Sequence, residues 1–419
     1  MKGCGVGPRV YARHRLDLSP GDICFGVGSS FLPWRRGRLE SEVLGLCSTS
    51  DNGLVCHSVR SGWDLWLGAQ DFRAGDEVLV SAVTHPDMVR IVRGHGLRAV
   101  PVDLGSRTLA PLPSALEAAL TPRTRVLLVA HLFGGRIDLD FVAGFARRNG
   151  LILVEDCAQA FQGPELVGDS VADVSLYSFG TLKTSTALGG ALLRVRDHDV
   201  LRKMRRTQDR YPVQCRAAYM KKLLISLVHV TVTRPRPYGL LAQTCVWLGA
   251  DLDAIVNHAV RTFPPGEPEW TFRRRLRQRP CKPLLAVLAH RLRTFDRARL
   301  AKRSAAGERF ARKLRILDAH PGGHALRRTH WLFPVVVRDP GSLVLKLRAR
   351  GLDASRATSS IAVVEASAAH PPPVRARRMM SGIVFLPVHP GLPSCAFDKM
   401  VDVVNDGVAG EDVQMAMLS

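Results

Sequence analysis

The chain has 419 residues, of which 46% are hydrophobic and 6% aromatic, with 59 Lys+Arg against 37 Asp+Glu for a formal net charge of +22. That length and apolar content suffice for a sizeable core and two domains, and they exclude a disordered or fibrous chain. The charge is uneven: residues 201–320 hold 27 basic and 8 acidic residues, residues 1–200 hold 21 of each, and 321–419 add the remaining +3. Nine scattered cysteines with no CxxC pair argue against a zinc site or a disulfide framework and favour a reducing cytoplasm.

Met1–Pro20 lacks an apolar core and does not read as a signal peptide, and Met1–Ser50 shows no clear apolar period. Arg60-Ser61-Gly62-Trp63 reads as a turn opening a helix, where backbone N–H groups make an anion site. Strand and helix then alternate. Val78–Val83, Ala99–Leu104, Val126–Ala130, Leu151–Val154, Val174–Phe179 and Ala191–Val195 read as strands. Met88–His95, Leu112–Leu120 and Asp138–Asn149 read as helices. The expected fold class is therefore α/β, a mostly parallel sheet with helices on both faces. No glycine-rich dinucleotide fingerprint follows any strand, which argues against NAD.

From Arg202 the character changes. Basic residues crowd 202–236, and apolar runs at Leu223–Val232 and Gly239–Ala250 are too short to cross a bilayer. A basic face beside apolar helix suits an anionic membrane surface; the bland alternative is a solvated helix packed on the body. Few aromatics and no reading motif argue against nucleic acid. Pro283–Leu314 reads as a helical connection. Trp331–Val337 strand, Leu343–Arg350 helix, Ile383–Pro387 strand and Phe397–Asn405 helix complete a smaller C-terminal α/β unit, and Glu411–Ser419 reads as frayed. The expected domains are 1–211, a basic and partly apolar insertion over 212–282, and 283–419.

The stretch Leu151–Val195 carries the chemistry. Its strands end in an acid, an amide, a hydroxyl and a lysine, where an open α/β sheet binds ligands. A lysine among buried strands needs a partner or a covalent task. That set fits pyridoxal phosphate (PLP): an amine forms a Schiff base with its aldehyde, and a carboxylate pairs with its ring nitrogen. Taken singly, Asp156 as a turn cap and Lys183 as a solvated loop lysine remain open alternatives.

VEDCAQAFQG and SFGTLKTSTALGGA resemble the cofactor motifs of the DegT/DnrJ family of PLP-dependent sugar aminotransferases, which share the aspartate-aminotransferase fold. The resemblance implies Lys183 as the Schiff-base lysine, Asp156 as the ring-nitrogen partner, Gln159 at the ring hydroxyl and Ser178 at the phosphate. It further implies a phosphate cradle at Ser61, Gly62 and Trp63, where Trp63 replaces the family's Thr. His85 stands where the family stacks an aromatic on the ring; its alternative is a polar residue ending a strand before Pro86. Arg277 best matches an Asn that reaches the partner subunit's phosphate, and the arginines at 273–279 alternatively face a substrate diphosphate or water. Asp353–Ser360 departs from the family's substrate-loop pattern.

The resemblance implies a homodimer moving an amino group from an amino-acid donor to a nucleotide-linked keto sugar, for polysaccharide or secondary-metabolite biosynthesis. Lys183, rather than the His of dehydratase relatives, favours transamination. Two rivals stay open: another PLP reaction such as decarboxylation or C–S cleavage, and a non-catalytic PLP-fold binding module at the membrane surface. The expected location is cytoplasmic, with peripheral membrane contact through 202–236.

Overall fold

A computed structural model describes residues 9–13, 15–252, 255, 266–315, 320–356 and 361–409. In chain order the elements are α1 (Pro20–Ser29), α2 (Arg36–Leu46), β1 (Gly53–Cys56), α3 (Val59–Gly68), β2 (Glu77–Ser81), β3 (Val83–Thr84), α4 (Pro86–Gly94), β4 (Arg98–Val102), α5 (Pro113–Ala119), β5 (Thr124–Ala130), β6 (Gly135–Arg136), α6 (Asp140–Arg148), β7 (Ile152–Asp156), β8 (Val174–Ser178) and β9 (Ala191–Val195). There follow α7 (His198–Asp209), α8 (Arg216–Val232), α9 (Pro235–Trp247), α10 (Glu269–Leu276), α11 (Lys282–Arg293) and α12 (Arg297–Lys313). The last are β10 (Arg327–Arg328), β11 (Phe333–Val336), α13 (Pro340–Ala349), β12 (Ser355–Arg356), β13 (Ala362–Val363), α14 (Val374–Gly382), β14 (Ile383–Leu386) and α15 (Ser394–Ala409).

The strands β1-β9-β8-β7-β5-β2-β4 form a seven-stranded sheet, parallel from β8 to β4, with β9 antiparallel to both β8 and β1. Reversing only β9 leaves the C-terminal ends of β1, β2, β5, β7 and β8 on one edge. Alternation along each strand feeds two cores. On β5, Val126 and Leu128 pack with Trp63, Trp66 and Met88 from α3 and α4, while Leu127 and Val129 pack with Leu116, Val142 and Phe145 from α5 and α6. A further core gathers α1, α2, α8 and α11 against Val55, Tyr177 and Leu192. Each large side chain buried this way contributes about 1.5–3 kcal/mol. A smaller antiparallel sheet, β11-β14-β12, packs with α12, α13 and α15 around Phe310, Phe333, Leu347, Phe397 and Met400.

Three departures from the sequence reading have local causes. Met1–Ser50 showed no period, yet holds α1 and α2. The signal was a cap rather than a period: Ser19 accepts from the Asp22 N–H, and the Asp22 carboxylate accepts from the Ser19 N–H, with Pro20 in the first turn. Pro283–Leu314 is broken into α11 and α12, because Asp296 caps the second by accepting from the Arg299 N–H. The run Leu223–Val232 is the C-terminal part of the longer α8. Pro212 and Arg279 meet through the Arg279 N–H to Pro212 carbonyl bond at 2.8 Å, so the chain leaves and rejoins the body at one point. Among the described residues no helix is long and apolar enough to cross a membrane. Ala357–Ser360 of the departing substrate loop and Glu411–Ser419 lie outside the described residues.

Candidate active site

Asp156 ends β7, Ser178 ends β8, and Lys183 follows β8 on the same edge of the sheet. The 179–190 loop holds Lys183 rigidly. Its N–H donates to the Gly180 carbonyl at 3.0 Å, and the Ala187 and Gly189 N–H groups both donate to Phe179 O at 3.0 Å. The Thr186 hydroxyl donates to Gly180 O at 2.7 Å, and the Trp331 indole N–H donates to Leu182 O at 2.8 Å. Ser185 and Leu188 take left-handed φ values of 56° and 60° to close the loop. Lys183 Nζ lies 4.4 Å from the centroid of the Trp331 ring. Burial pulls its amine down from 10.5 to about 8, Asp156 opposes that fall, and Arg60 adds to it.

Asp156 is only 8% exposed, and burial raises its carboxyl above the usual carboxylate value, against the Ala158 N–H bond at 2.9 Å and the attraction of Lys183. Among the described residues Asp156 and Lys183 form no ion pair with each other or with any other group. An acid and an amine taken from water, within electrostatic reach yet unpaired, leave room for a molecule that satisfies both.

Gln159 supports the same fit. Its Oε1 accepts the Phe133 N–H at 2.8 Å. A backbone N–H can only donate, which fixes the amide orientation and leaves the Gln159 NH2 as a donor. A donor there suits the oxygen of the cofactor ring. An amine, an acid and an amide donor on one sheet edge are a set that fits pyridoxal phosphate, whose aldehyde, ring nitrogen and ring oxygen call for those three groups.

The remaining sequence candidates stand as follows. Ser58 caps α3, accepting the Ser61 N–H on its hydroxyl at 3.1 Å and the Gly62 N–H on its carbonyl at 3.0 Å. The donors that α3 does not itself use thus lie ahead of Ser61, one step earlier than the sequence suggested. Trp63 is fully buried, donates its indole N–H to Met88 O at 3.2 Å and stacks on Trp66 at 5.2 Å, so its side chain belongs to the core. His85 caps α4, accepting the Asp87 N–H on Nδ1 at 3.1 Å. Ser178 is half-buried, and its hydroxyl accepts the Gly180 N–H at 3.4 Å. Arg277 is turned to its own chain: Nε donates to Asp64 Oδ2 at 3.0 Å, and Asp64 Oδ1 meets His95 Nε2 at 3.0 Å. Arg273, Arg275 and Arg279 are likewise paired, with Glu269, Glu267 and Asp209.

Behind Asp156 lies a buried support that sequence reasoning passed over. Glu155 accepts from the Asp169 N–H at 2.6 Å, from Arg136 at 3.1 Å and from the Cys157 thiol at 3.3 Å. The Ile137 N–H occupies His131 Nδ1, so Nε2 carries the ring proton and donates to Glu155 at 3.0 Å. Glu155 is depressed to about 2: burial opposes ionisation, and His131 and Arg136 overcome it.

A cavity of about 980 Å3 opens beside Lys183 and is lined by Arg15, Arg234, Arg299, Arg303, Trp331 and His389, among others. Arg15 feels Arg299 and Arg234 in addition to its own burial, and all three lower its pKa. Arg299 pairs with Asp17 at 2.5 Å, while no carboxylate among the described residues pairs with Arg15 or Arg234. Burial and Arg15 hold His389 neutral, with its pKa lowered to about 4. Asp17, Asp22 and Asp296 also line the cavity, so its uncompensated positive charge comes from Arg15 and Arg234. No period or motif in Met1–Ser50 pointed to Arg15.

Residues 37–219 match the model of the DegT/DnrJ/EryC1/StrS aminotransferase family. Over 208 residues the chain is 34% identical to UDP-N-acetyl-3-dehydro-alpha-D-glucosamine 3-aminotransferase of Acidithiobacillus ferrooxidans, covering 47% of this chain and 56% of that protein. It is 32% identical over 158 residues to GDP-perosamine synthase of Caulobacter vibrioides, covering 37% and 42%. The chain spans about half the length of the curated relatives it matches. The aminotransferase TlmJ from Streptoalloteichus hindustanus shares the fold with a TM-score of 0.68 at 18% identity, over 96% of this chain and 99% of that one. So does Helicobacter pylori PseC, an aminotransferase involved in the biosynthesis of pseudoaminic acid, with a TM-score of 0.68 at 14% identity over 96% and 100%.

Proposed function

We propose that this chain belongs to the DegT/DnrJ/EryC1/StrS aminotransferase family, whose model its residues 37–219 match, and transfers an amino group from an amino-acid donor to a nucleotide-linked keto sugar. The observation that carries the reading is the buried Asp156 and half-buried Lys183, unpaired on one sheet edge, with the Gln159 NH2 left as a donor. The family uses pyridoxal phosphate. When bound, that group supplies an aldehyde for an amine and a ring that takes up the electron pair left at carbon. Asp156 would face the ring nitrogen and keep it protonated. The Lys183 amine would hold the aldehyde and, as a base beside it, would accept the proton from the donor Cα and return it in the second half of the transfer. An amine with a pKa near 8 has a useful neutral fraction at pH 7–8, which the transfer requires.

Arg15, Arg234 and Arg299 suit the diphosphate of a sugar nucleotide beside Lys183. The domain limits 1–211, 212–282 and 283–419 are supported by the junction at Pro212 and Arg279. A homodimer and a cytoplasmic location belong to the same proposal, and every described cysteine is free, as a reducing compartment requires. Peripheral contact with anionic membrane through 202–236 is supported by Leu224, Ile225, Leu227 and Val228, exposed on α8, which also carries the exposed Lys221. Sedimentation with anionic against neutral vesicles tests it.

The functional test is spectroscopic and chemical. Purified protein with pyridoxal phosphate should show the visible band of the lysine-bound cofactor, lost in Lys183→Ala. Glutamate should then shift the wild-type spectrum to the amine form, and nitrogen-labelled glutamate should label a keto-sugar nucleotide. A stable band that no amino donor shifts would favour a binding module; release of carbon dioxide or a thiol would favour another reaction.

A further inference from the structure

The insertion places a second desolvated lysine at the site. Helix α8 crosses the 187–190 loop: the Tyr219 hydroxyl donates to Ala187 O at 2.9 Å, and Leu223 packs with Ala187, Leu188 and Leu284. On the far side of that loop the Gly190 N–H donates to the His57 carbonyl at 2.8 Å. Lys222, between Tyr219 and Leu223, is thereby set beside the start of α3, within electrostatic reach of both His57 and Arg60. Ser178 belongs to the same corner, since Ser178 and Cys56 flank Ala191 in register across three adjacent strands.

Two acids act on Arg60 in this corner, Asp87 and Glu267, and neither pairs with Lys222. Asp87 accepts from Arg60 at 2.7 Å, whereas among the described residues no carboxylate or other acceptor faces Lys222 Nζ. Burial and Arg60 pull the Lys222 amine from 10.5 to about 8. Burial, Lys222 and Arg60 pull His57 to about 4, and its buried Nδ1 has no hydrogen-bond partner among the described residues. Cations gathered like this repel one another and lose hydration; an anion among them reverses both effects. The N-terminus of the ten-residue α3 points positive partial charge at the same place.

We propose that Lys222, with Arg60, Ser178 and the first turn of α3, holds a phosphate monoester dianion, and that this is the phosphate of the cofactor bound by the same chain that carries Lys183. The inference rests on the pyridoxal phosphate reading and assigns its phosphate to the insertion, an element outside the motifs that suggested that cofactor. Three phosphate oxygens match an ammonium, a guanidinium and hydroxyl or backbone donors.

The test uses the full-length apo protein and three probes. Pyridoxal phosphate affinity, read from cofactor absorbance, should fall at least tenfold in Lys222→Met and recover within about threefold in Lys222→Arg. Pyridoxal, which lacks the phosphate, should bind wild type and Lys222→Met alike. Inorganic phosphate should raise the melting temperature of wild type and not of Lys222→Met. Unchanged pyridoxal phosphate affinity in Lys222→Met, or equal losses for pyridoxal, would overturn the assignment. If wild type binds inorganic phosphate through Lys222 but never captures pyridoxal phosphate on Lys183, the anion site stands and the cofactor reading fails.

Discussion

The depressed amine of Lys183 gives a pH profile that an ordinary lysine cannot mimic. Imine formation needs the neutral amine, so capture of pyridoxal phosphate by apo protein should follow the deprotonated fraction of Lys183. With a pKa of about 8, that fraction is roughly 9% at pH 7 and roughly 91% at pH 9, a rise of about tenfold that levels off above pH 8. At the ordinary value of 10.5 the rise over the same interval is about a hundredfold with no plateau. Stopped-flow absorbance of cofactor capture, divided by the rate for N-acetyl-lysine methyl ester at each pH, removes the reagent's own ionisation once that amine's known titration is restored. Asp156→Asn sharpens the test. Burial sets the main fall, and Asp156 is the charge that partly restores the pKa, so the plateau should move below pH 8 in that variant. A log-linear rise to pH 9.5 in wild type, or a plateau moved upward in Asp156→Asn, would refute the reasoning.

Three other outcomes follow from the same geometry. Glu155→Gln leaves Arg136 and His131 without their buried anion and should cost roughly 3 kcal/mol at pH 7 by urea unfolding, as for other broken buried pairs. The carboxyl is depressed from 4.5 to about 2, so its contribution is complete above pH 4.5 and lost as pH falls through 2, where wild type and variant should converge. Gly307→Ala should lower the melting temperature by several degrees, because a Cβ there falls 2.2 Å from the His330 ring within a buried contact. Arg234→Gln should raise KM for a nucleotide sugar about tenfold with little change in kcat, because it removes one charge-assisted contact distant from the reacting carbon; an unchanged KM would place the substrate elsewhere.

The parallel sheet was legible because its strands are buried runs, as in β2 and from Val126 onward in β5, separated by helices of 3.6-residue period such as α4 and α6. Asp156, Gln159, Ser178 and Lys183 could be grouped from the sequence because they lie within one 28-residue stretch, and the sheet sets Asp156 and Ser178 at adjacent strand ends. What sequence could not show is long-range. Trp63 reads as a substitute for a phosphate-binding threonine, and only the packing of Trp66 and Met88 shows its ring to be core. Arg277 reads as an unclaimed arginine until Asp64, more than two hundred residues earlier, is seen to hold it. Arg15 and Lys222 reach the site from segments with no motif, placed there by α11 and by the crossing of α8 over the 187–190 loop.

That crossing also explains the concentration of charge in 201–320. Much of the excess is absorbed by acids from elsewhere in the chain: Lys203 pairs with Asp71, Arg277 with Asp64, Arg291 with Asp22, Arg297 with Glu165 and Arg299 with Asp17. A segment docked by such contacts needs no external polyanion to account for its composition, which removes the main argument for nucleic acid. The cations left without a carboxylate among the described residues include Lys222 and Arg234. One sits at the start of α3, the other lines the cavity beside Lys183, and both are supplied by the insertion. Deleting 213–278 and rejoining at Pro212 and Arg279, whose backbones already touch, should therefore leave the seven-stranded sheet intact by circular dichroism while weakening both pyridoxal phosphate and nucleotide-sugar binding. If the shortened chain binds both as tightly as the full one, the insertion builds no part of the site and its charge serves another purpose.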